Sequence, residues 1–229
     1  MKTILTWYGH ATLGLNVGEH KLLIDPFFTG NPVASMSADE AKADFILVTH
    51  GHGDHIGDTI DIAKRENALI ISNFEIAEWL AAQGFQTHGQ QLGGGFNHPF
   101  GYLKLTLALH GSALPDGSYG GNPAGLLLTT PNGKKIYMAG DTGLFGDMQL
   151  IGNESIDLAV IPIGDNYTMG PDDALTAVKL LRPKVVVPIH YNTWPLIEQD
   201  PHAWKARVET ETNTKVVVLK PGESLELNE

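Results

Sequence analysis

The chain of 229 residues contains no cysteine. That removes disulfide bridges, thiolate metal ligands and a cysteine nucleophile together, and it fits a reducing compartment. Arginine is nearly as scarce. Arg65, Arg182 and Arg207 are the only three, in a chain whose formal net charge is −11. Adjacent basic residues occur only at Lys64-Arg65 and Lys134-Lys135, with no larger cluster, so attraction to phosphate backbones is not expected to dominate binding, and no nucleic-acid partner is expected. No stretch approaches the about 20 consecutive apolar residues of a membrane span. The first residues, Met1 to Trp7, lack the apolar core of a secretion signal. These absences together predict a cytoplasmic protein without a membrane partner.

What is present suits a packed enzyme. Hydrophobic residues make up 42% and charged residues 18%, enough to build a core, with no low-complexity tract or linker. One domain over residues 1–229 is expected. Short β-type runs at 4–8, 13–17 and 21–24 open the chain, and residues 29–42 read as a loop. Residues 44–48 form a continuous apolar run, as in a strand buried on both faces. A helix is predicted over 56–66, a strand over 68–72 and a helix over 74–83. The Gly-, Gln- and His-rich stretch 84–101 carries no usable pattern. Strands follow at 102–109, 124–130, 135–139, 157–163, 184–189 and 215–219, with helices at 171–181 and 201–210. Hairpins early and strand–helix alternation later predict a mixed α+β architecture of two sheets with helices outside.

The chemistry is concentrated in Thr49-His50-Gly51-His52-Gly53-Asp54-His55. Three imidazoles and a carboxylate in six positions suit borderline divalent metals: zinc first, with manganese, iron or nickel as alternatives. Glycines between the ligands suggest backbone turned sharply through φ > 0. His110, Asp141 and His190 each follow another predicted strand, where open α/β sheets collect functional groups. His50, His52, Asp54, His55, His110, Asp141 and His190 make seven candidate ligands. One catalytic zinc needs three protein ligands. Seven suffice for two divalent ions if one carboxylate bridges, at the about 3.5–4 Å spacing of two-metal hydrolytic sites.

The pattern His50-Gly51-His52-Gly53-Asp54-His55 with later His110, Asp141 and His190 resembles the metallo-β-lactamase superfamily. Trp7-Tyr8-Gly9-His10-Ala11, Leu23-Ile24-Asp25-Pro26 and the run Pro162 to Pro171 are similar to its UPF0173 metal-dependent hydrolase branch. That branch is akin to the ascorbate-6-phosphate lactonase group and, more distantly, to the N-acyl-phosphatidylethanolamine phospholipase D group. The resemblance implies a four-layer αββα sandwich with the site at one edge between the sheets. It implies that His50, His52 and His110 hold one metal, that Asp54, His55 and His190 hold a second, and that Asp141 bridges them. Some lactamase-type relatives place a cysteine on the second metal, an option this chain lacks.

The activity so implied is hydrolysis of a small-molecule ester or lactone by hydroxide held between the metals. Asp54 is the candidate catalytic residue, and His10, Tyr191 and Asn192 are candidate substrate contacts. Asp25 is expected to orient a ligand histidine. His20, His88, His98 and His202 are expected at the surface. A phosphodiesterase or nuclease of the same fold, a non-catalytic metal- or ligand-binding sensor and a di-iron redox protein are the alternatives, and a homo-oligomer is compatible with the resemblance.

Overall fold

The computed structural model describes residues 1–227. Alternation of side chains along the strands decides its layering. Leu22, Ile24, Phe45, Leu47 and Ile71 belong to the core between two sheets, whereas Leu23, Ile46, Val48 and Ile70 face a second core beneath helices. Both faces of these strands are therefore covered, which explains their unbroken apolar runs. Each such side chain contributes roughly 1.5–3 kcal/mol by leaving water.

The first sheet is built from β1 (Thr3–Gly9), β2 (Thr12–Val17), β3 (His20–Ile24), β4 (Phe45–Leu47), β5 (Leu69–Asn73) and β6 (Thr87–Gln90). The second contains β7 (Gly95–His98), β8 (Gly101–Leu107), β9 (Ala124–Thr129), β10 (Lys135–Met138), β11 (Leu158–Pro162), β12 (Val185–Ile189) and β13 (Lys215–Val216). The chain then returns to the first sheet with β14 (Ser224–Leu227). The spatial orders are β14-β1-β2-β3-β4-β5-β6 and β7-β8-β9-β10-β11-β12-β13. In each sheet the first four strands are antiparallel and the remainder continue in parallel. The two sheets thus repeat one topology.

Helices α1 (Gly53–Ile56), α2 (Thr59–Glu66) and α3 (Phe74–Ala81) cover the first sheet, through Ile56, Ile62, Ile76 and Leu80. Helices α4 (Met148–Gly152), α5 (Pro171–Leu181) and α6 (Pro201–Glu211) cover the second, through Met148, Val178, Leu181, Trp204 and Val208. The result is the αββα sandwich.

The structure departs from the sequence reading at the margins. Residues 84–101 hold two strands, β6 and β7, which are short, glycine-containing and open to solvent on one side; an edge strand needs no apolar alternation. Strand β14 and helix α4 were not expected, and β13 pairs over two residues only. The helix expected over 56–66 is two helices. They part at Gly57, φ +32°, where a Cβ would strike the Pro26 carbonyl, and at Asp58, whose Oδ2 accepts from the backbone N–H of Phe28 and Thr29. His98 is buried, not at the surface: its Nε2 lies 3.2 Å from Gln90 Oε1, joining the edge of one sheet to the other.

Candidate metal centre

The ends of β1, β3, β4, β8, β10 and β12 converge at one edge of the sandwich. Two backbone hydrogen bonds stitch the sheets there. His190 N–H donates to the His10 carbonyl at 3.0 Å, and Ala124 N–H donates to the Thr49 carbonyl at 3.0 Å. The sharp turns into the site are made mainly by side-chain-bearing residues. His10, Asp25 and His190 have φ of +54°, +46° and +57°, a region that non-glycine residues occupy at a cost and that clusters at functional sites. The glycines of the His-rich loop behave otherwise than expected, since neither Gly51 nor Gly53 has positive φ. Gly51 is needed for close approach, because a Cβ there would stand 2.9 Å from the Ala113 carbonyl oxygen. Gly53 opens helix α1, whose single turn sets Asp54 and His55 facing inward.

The seven predicted ligands meet. His50 Nε2 lies 3.1 Å from His52 Nδ1, and His110 Nε2 lies 3.3 Å from the same atom. Beside this triad, Asp141 Oδ2 lies 3.3 Å from His55 Nε2, 3.1 Å from His190 Nε2 and 3.6 Å from His110 Nε2. Asp54 Oδ2 is 3.9 Å from His55 Nε2. Asp141 therefore stands where the two groups of donors join.

The neighbouring side chains fix these groups in place. Asp25 accepts from Thr49 N–H at 2.8 Å, from Thr49 Oγ1 at 2.6 Å and from His55 Nδ1 at 2.8 Å. This holds the His55 ring with Nε2 toward the centre, the carboxylate–histidine arrangement that orients metal ligands. His10 is fully buried, with Nδ1 2.8 Å from Thr193 Oγ1 and Nε2 3.1 Å from Asp54 Oδ2. Burial pushes the His10 imidazole down to about 4 despite Asp54. Burial opposes ionisation of Asp54 as well, but the His10 bond and the charge of His55 hold it below the usual carboxylate range.

A cation fits this donor set. His55 Nε2, both ring nitrogens of His190 and Asp141 Oδ1 are buried with no partner in hydrogen-bonding geometry, although Asp141 Oδ2 stands close to two of them and buried polar groups are ordinarily satisfied. His55 is driven well above its ordinary value, as Asp141 and Asp25 overcome its burial. Asp141 is correspondingly pulled well below its own by His190 and His55, against its burial. Carboxylates that hold a proton so firmly on a buried imidazole equally favour a metal ion in its place. His10 lies within ligand distance of Asp54, His55 and His190, but its nitrogens are engaged by Thr193 and by Asp54.

A cavity of about 440 Å³ opens over the centre, and besides His52, Asp54, His110, Asp141 and His190 its wall is Tyr167 and Trp194. Trp194 escaped the sequence reading. It stands edge-on to His10 at 4.8 Å between ring centroids, and nothing in its local pattern marks it. The three expected substrate contacts lie elsewhere. Tyr191 is buried with its ring 5.4 Å from that of Trp7. The Asn192 carboxamide accepts from the Gln199 backbone, and His10 sits behind Asp54 rather than in the wall.

The family model of the beta-lactamase superfamily domain matches residues 20–191, a span that contains all seven converging side chains. The chain belongs to that superfamily. Within it, the UPF0173 metal-dependent hydrolases are near in sequence, so this is a member of the UPF0173 family. The relative from Pelotomaculum thermopropionicum is 54% identical over 228 residues, covering 97% of this chain and 99% of that protein. The one from Heliobacterium modesticaldum is 51% identical over 232 residues, covering 98% and 97%. Among solved structures, Igni18, a metallo hydrolase from the hyperthermophilic archaeon Ignicoccus hospitalis, superposes with a TM-score of 0.91 at 39% identity, covering 100% of this chain and 99% of that one. An isothiocyanate hydrolase from Delia radicum gut bacteria shares the fold at TM-score 0.76 and 22% identity, covering 97% and 98%. For this UPF0173 member, no helix among the described residues is long and apolar enough to cross a membrane.

Proposed function

We propose that this UPF0173 protein is a two-metal hydrolase that cleaves an ester or lactone bond in a small molecule. One observation carries the reading: buried His and Asp atoms without hydrogen-bond partners converge on the floor of an open cavity. His50, His52 and His110 would hold one ion, and Asp54, His55 and His190, which cluster together with His10, would hold the other; Asp141 would contribute from where the two groups join, its Oδ2 being near His55, His190 and His110. The nitrogen and oxygen donors suit zinc first and manganese, iron or nickel as alternatives. Divalent ions, when bound there, would lower the pKa of a water from 15.7 to about 7 and would polarise the substrate oxygen.

The chain's own residues supply position and proton transfer. Thr193 donates its hydroxyl hydrogen to His10 Nδ1, which leaves the ring hydrogen on Nε2 to bond Asp54 Oδ2. That bond holds Asp54 ionised and fixed, able to take a proton from the attacking water and return it to the leaving oxygen. Asp25 locks His55 from behind. A nucleic-acid substrate is disfavoured, since none of the 15 Lys and Arg residues lines the cavity and the net charge is −11.

The test is elemental analysis of the purified protein together with turnover of an ester, lactone and phosphodiester panel, with and without chelator. Two divalent ions per chain and chelator-sensitive ester or lactone cleavage are expected. Asp54→Asn is expected to keep the fold and lose roughly 10²–10⁴-fold in kcat. Unchanged turnover at full metal content would remove Asp54 from its role.

A further inference from the structure

The cavity over the metal centre has an aromatic wall and no cation. Among the described residues, Tyr167 and Trp194 are its only lining side chains that are not His or Asp. Trp194 is held from below by His10 and, at 6.2 Å between ring centroids, by Phe27. Large apolar side chains left exposed flank the same loops: Leu109 is 49% exposed directly before His110, and Leu196 is 66% exposed two residues past Trp194. Lysines gather instead at the opposite ends of the strands, where Lys134, Lys184 and Lys215 surround a separate cavity of about 400 Å³.

The helix that follows the Tyr167 loop does not replace them. Helix α5 starts after the loop that carries Tyr167, and its first turn holds Asp172 and Asp173. A Cβ on Gly170, its N-cap, would stand 2.9 Å from the Asp165 carboxyl carbon. Negative side chains therefore occupy the positive end of the helix dipole, with Asp172 paired to Arg207 at 2.6 Å and that arginine absent from the cavity lining. Beyond reach of the metals, an anionic substituent on a substrate would find no Lys or Arg in the cavity lining to pair with it, and an unpaired charge is costly to take out of water.

We propose that the physiological substrate is an uncharged ester or lactone with an apolar, planar group that lies on Trp194, and that phosphorylated or carboxylated small molecules are poor substrates. This rests on the ester or lactone reading given above. Trp194 acts as the specificity residue, with its ring presented to the cavity and its other side fixed by His10 and Phe27. Tyr167 adds a second aromatic surface with a polar tip, a pairing common where one end of a ligand is apolar and the other wet.

The experiment compares phenyl acetate with its para-carboxylate and para-phosphate analogues on the metal-loaded protein, each rate divided by that ester's rate with free hydroxide. The neutral ester should exceed both anions at least tenfold in kcat/KM. Trp194→Ala should raise KM for phenyl acetate roughly tenfold, with kcat and metal content unchanged, and Trp194→Phe should restore most of the loss. Equal or better turnover of the anions, or a KM indifferent to Trp194→Ala, overturns the proposal.

A second readout separates it from the reaction assignment. Phenylacetone, the ketone isostere of phenyl acetate, and its para-carboxylate are titrated by calorimetry. If no ester or lactone is cleaved, the reaction reading fails. Binding of the neutral ketone that Trp194→Ala abolishes still upholds the substrate class. Failure of the neutral ketone to bind, or equal binding of the carboxylate, overturns it.

Discussion

Asp25 and Asp141 stand just past the fourth strand of their respective sheets, β3 in one and β10 in the other, where antiparallel pairing gives way to parallel. Both are buried, and both face His55. Their surroundings separate them. Asp25 accepts three hydrogen bonds from Thr49 and His55, whereas Asp141 Oδ1 has no partner and Oδ2 sits among three imidazole nitrogens. The same topological position thus carries a fixing group in one half and an open donor in the other. His10 past β1 and His110 past β8 repeat the contrast: the first is enclosed and bonded at both nitrogens, and the second faces the cavity. A strand end provides the location for a functional group, and the hydrogen bonds around it decide whether that group can reach a ligand.

The sharpest way to break this comparison is to remove each acid in turn. Asp141→Ala takes away the atom where both donor groups meet. It is expected to lower metal content and to cost more than about 100-fold in turnover, while leaving the metal-free protein folded. Elemental analysis beside a thermal melt in chelator checks both parts. A variant that retains two ions and near-normal turnover would show that Asp141 is no open donor.

Asp25→Asn should act more mildly and by a different route. An amide can accept at one atom only, so its nitrogen must face a donor from either Thr49 or His55. Either the bond to the His55 ring or the Thr49 backbone bond that anchors the carboxyl group is lost, so His55 is held less firmly and metal affinity should fall about 10–100-fold without loss of any ligand atom. Competition with a chromophoric chelator measures it. If Asp25→Asn equals or exceeds Asp141→Ala, the division between fixing group and open donor is wrong.

The two halves also differed in how far their sequences reveal them. Four of the seven converging side chains lie within His50 to His55, and ligand spacing that dense is visible without a structure. His110, Asp141 and His190 arrive singly, one per strand, and gain meaning only from their order relative to that motif. The strands that build the floor were legible because they are buried on both faces, as Phe45 to Val48 show. The edges β6, β7 and β14 were not, because a strand with one neighbour and one wet face needs little apolar patterning. Trp194 and the fixing roles of His10 and Thr193 were beyond reach for a related reason: they depend on contacts between residues about 180 positions apart, which no local pattern encodes.

The smallest expected effect belongs to the outermost strands, which share a position in the two sheets. β14 lies on the surface, but its counterpart β7 buries His98 against Gln90 and beside His88, with ring centroids 4.9 Å apart. Burial, aided by His88, lowers the His98 imidazole to about 4. The unfolded chain therefore binds a proton between its ordinary 6.5 and about 4 that the folded chain does not. The stabilising contribution is full above 6.5 and is lost as pH falls from there through about 4. His98→Gln keeps a hydrogen bond to Gln90 and removes the titration. Urea midpoints of the chelated protein should then fall less steeply between pH 6.5 and 4, with little change at pH 8. An unaltered slope would mean that β7 is as open to water as β14, and that the join between the sheets at this edge carries no buried imidazole.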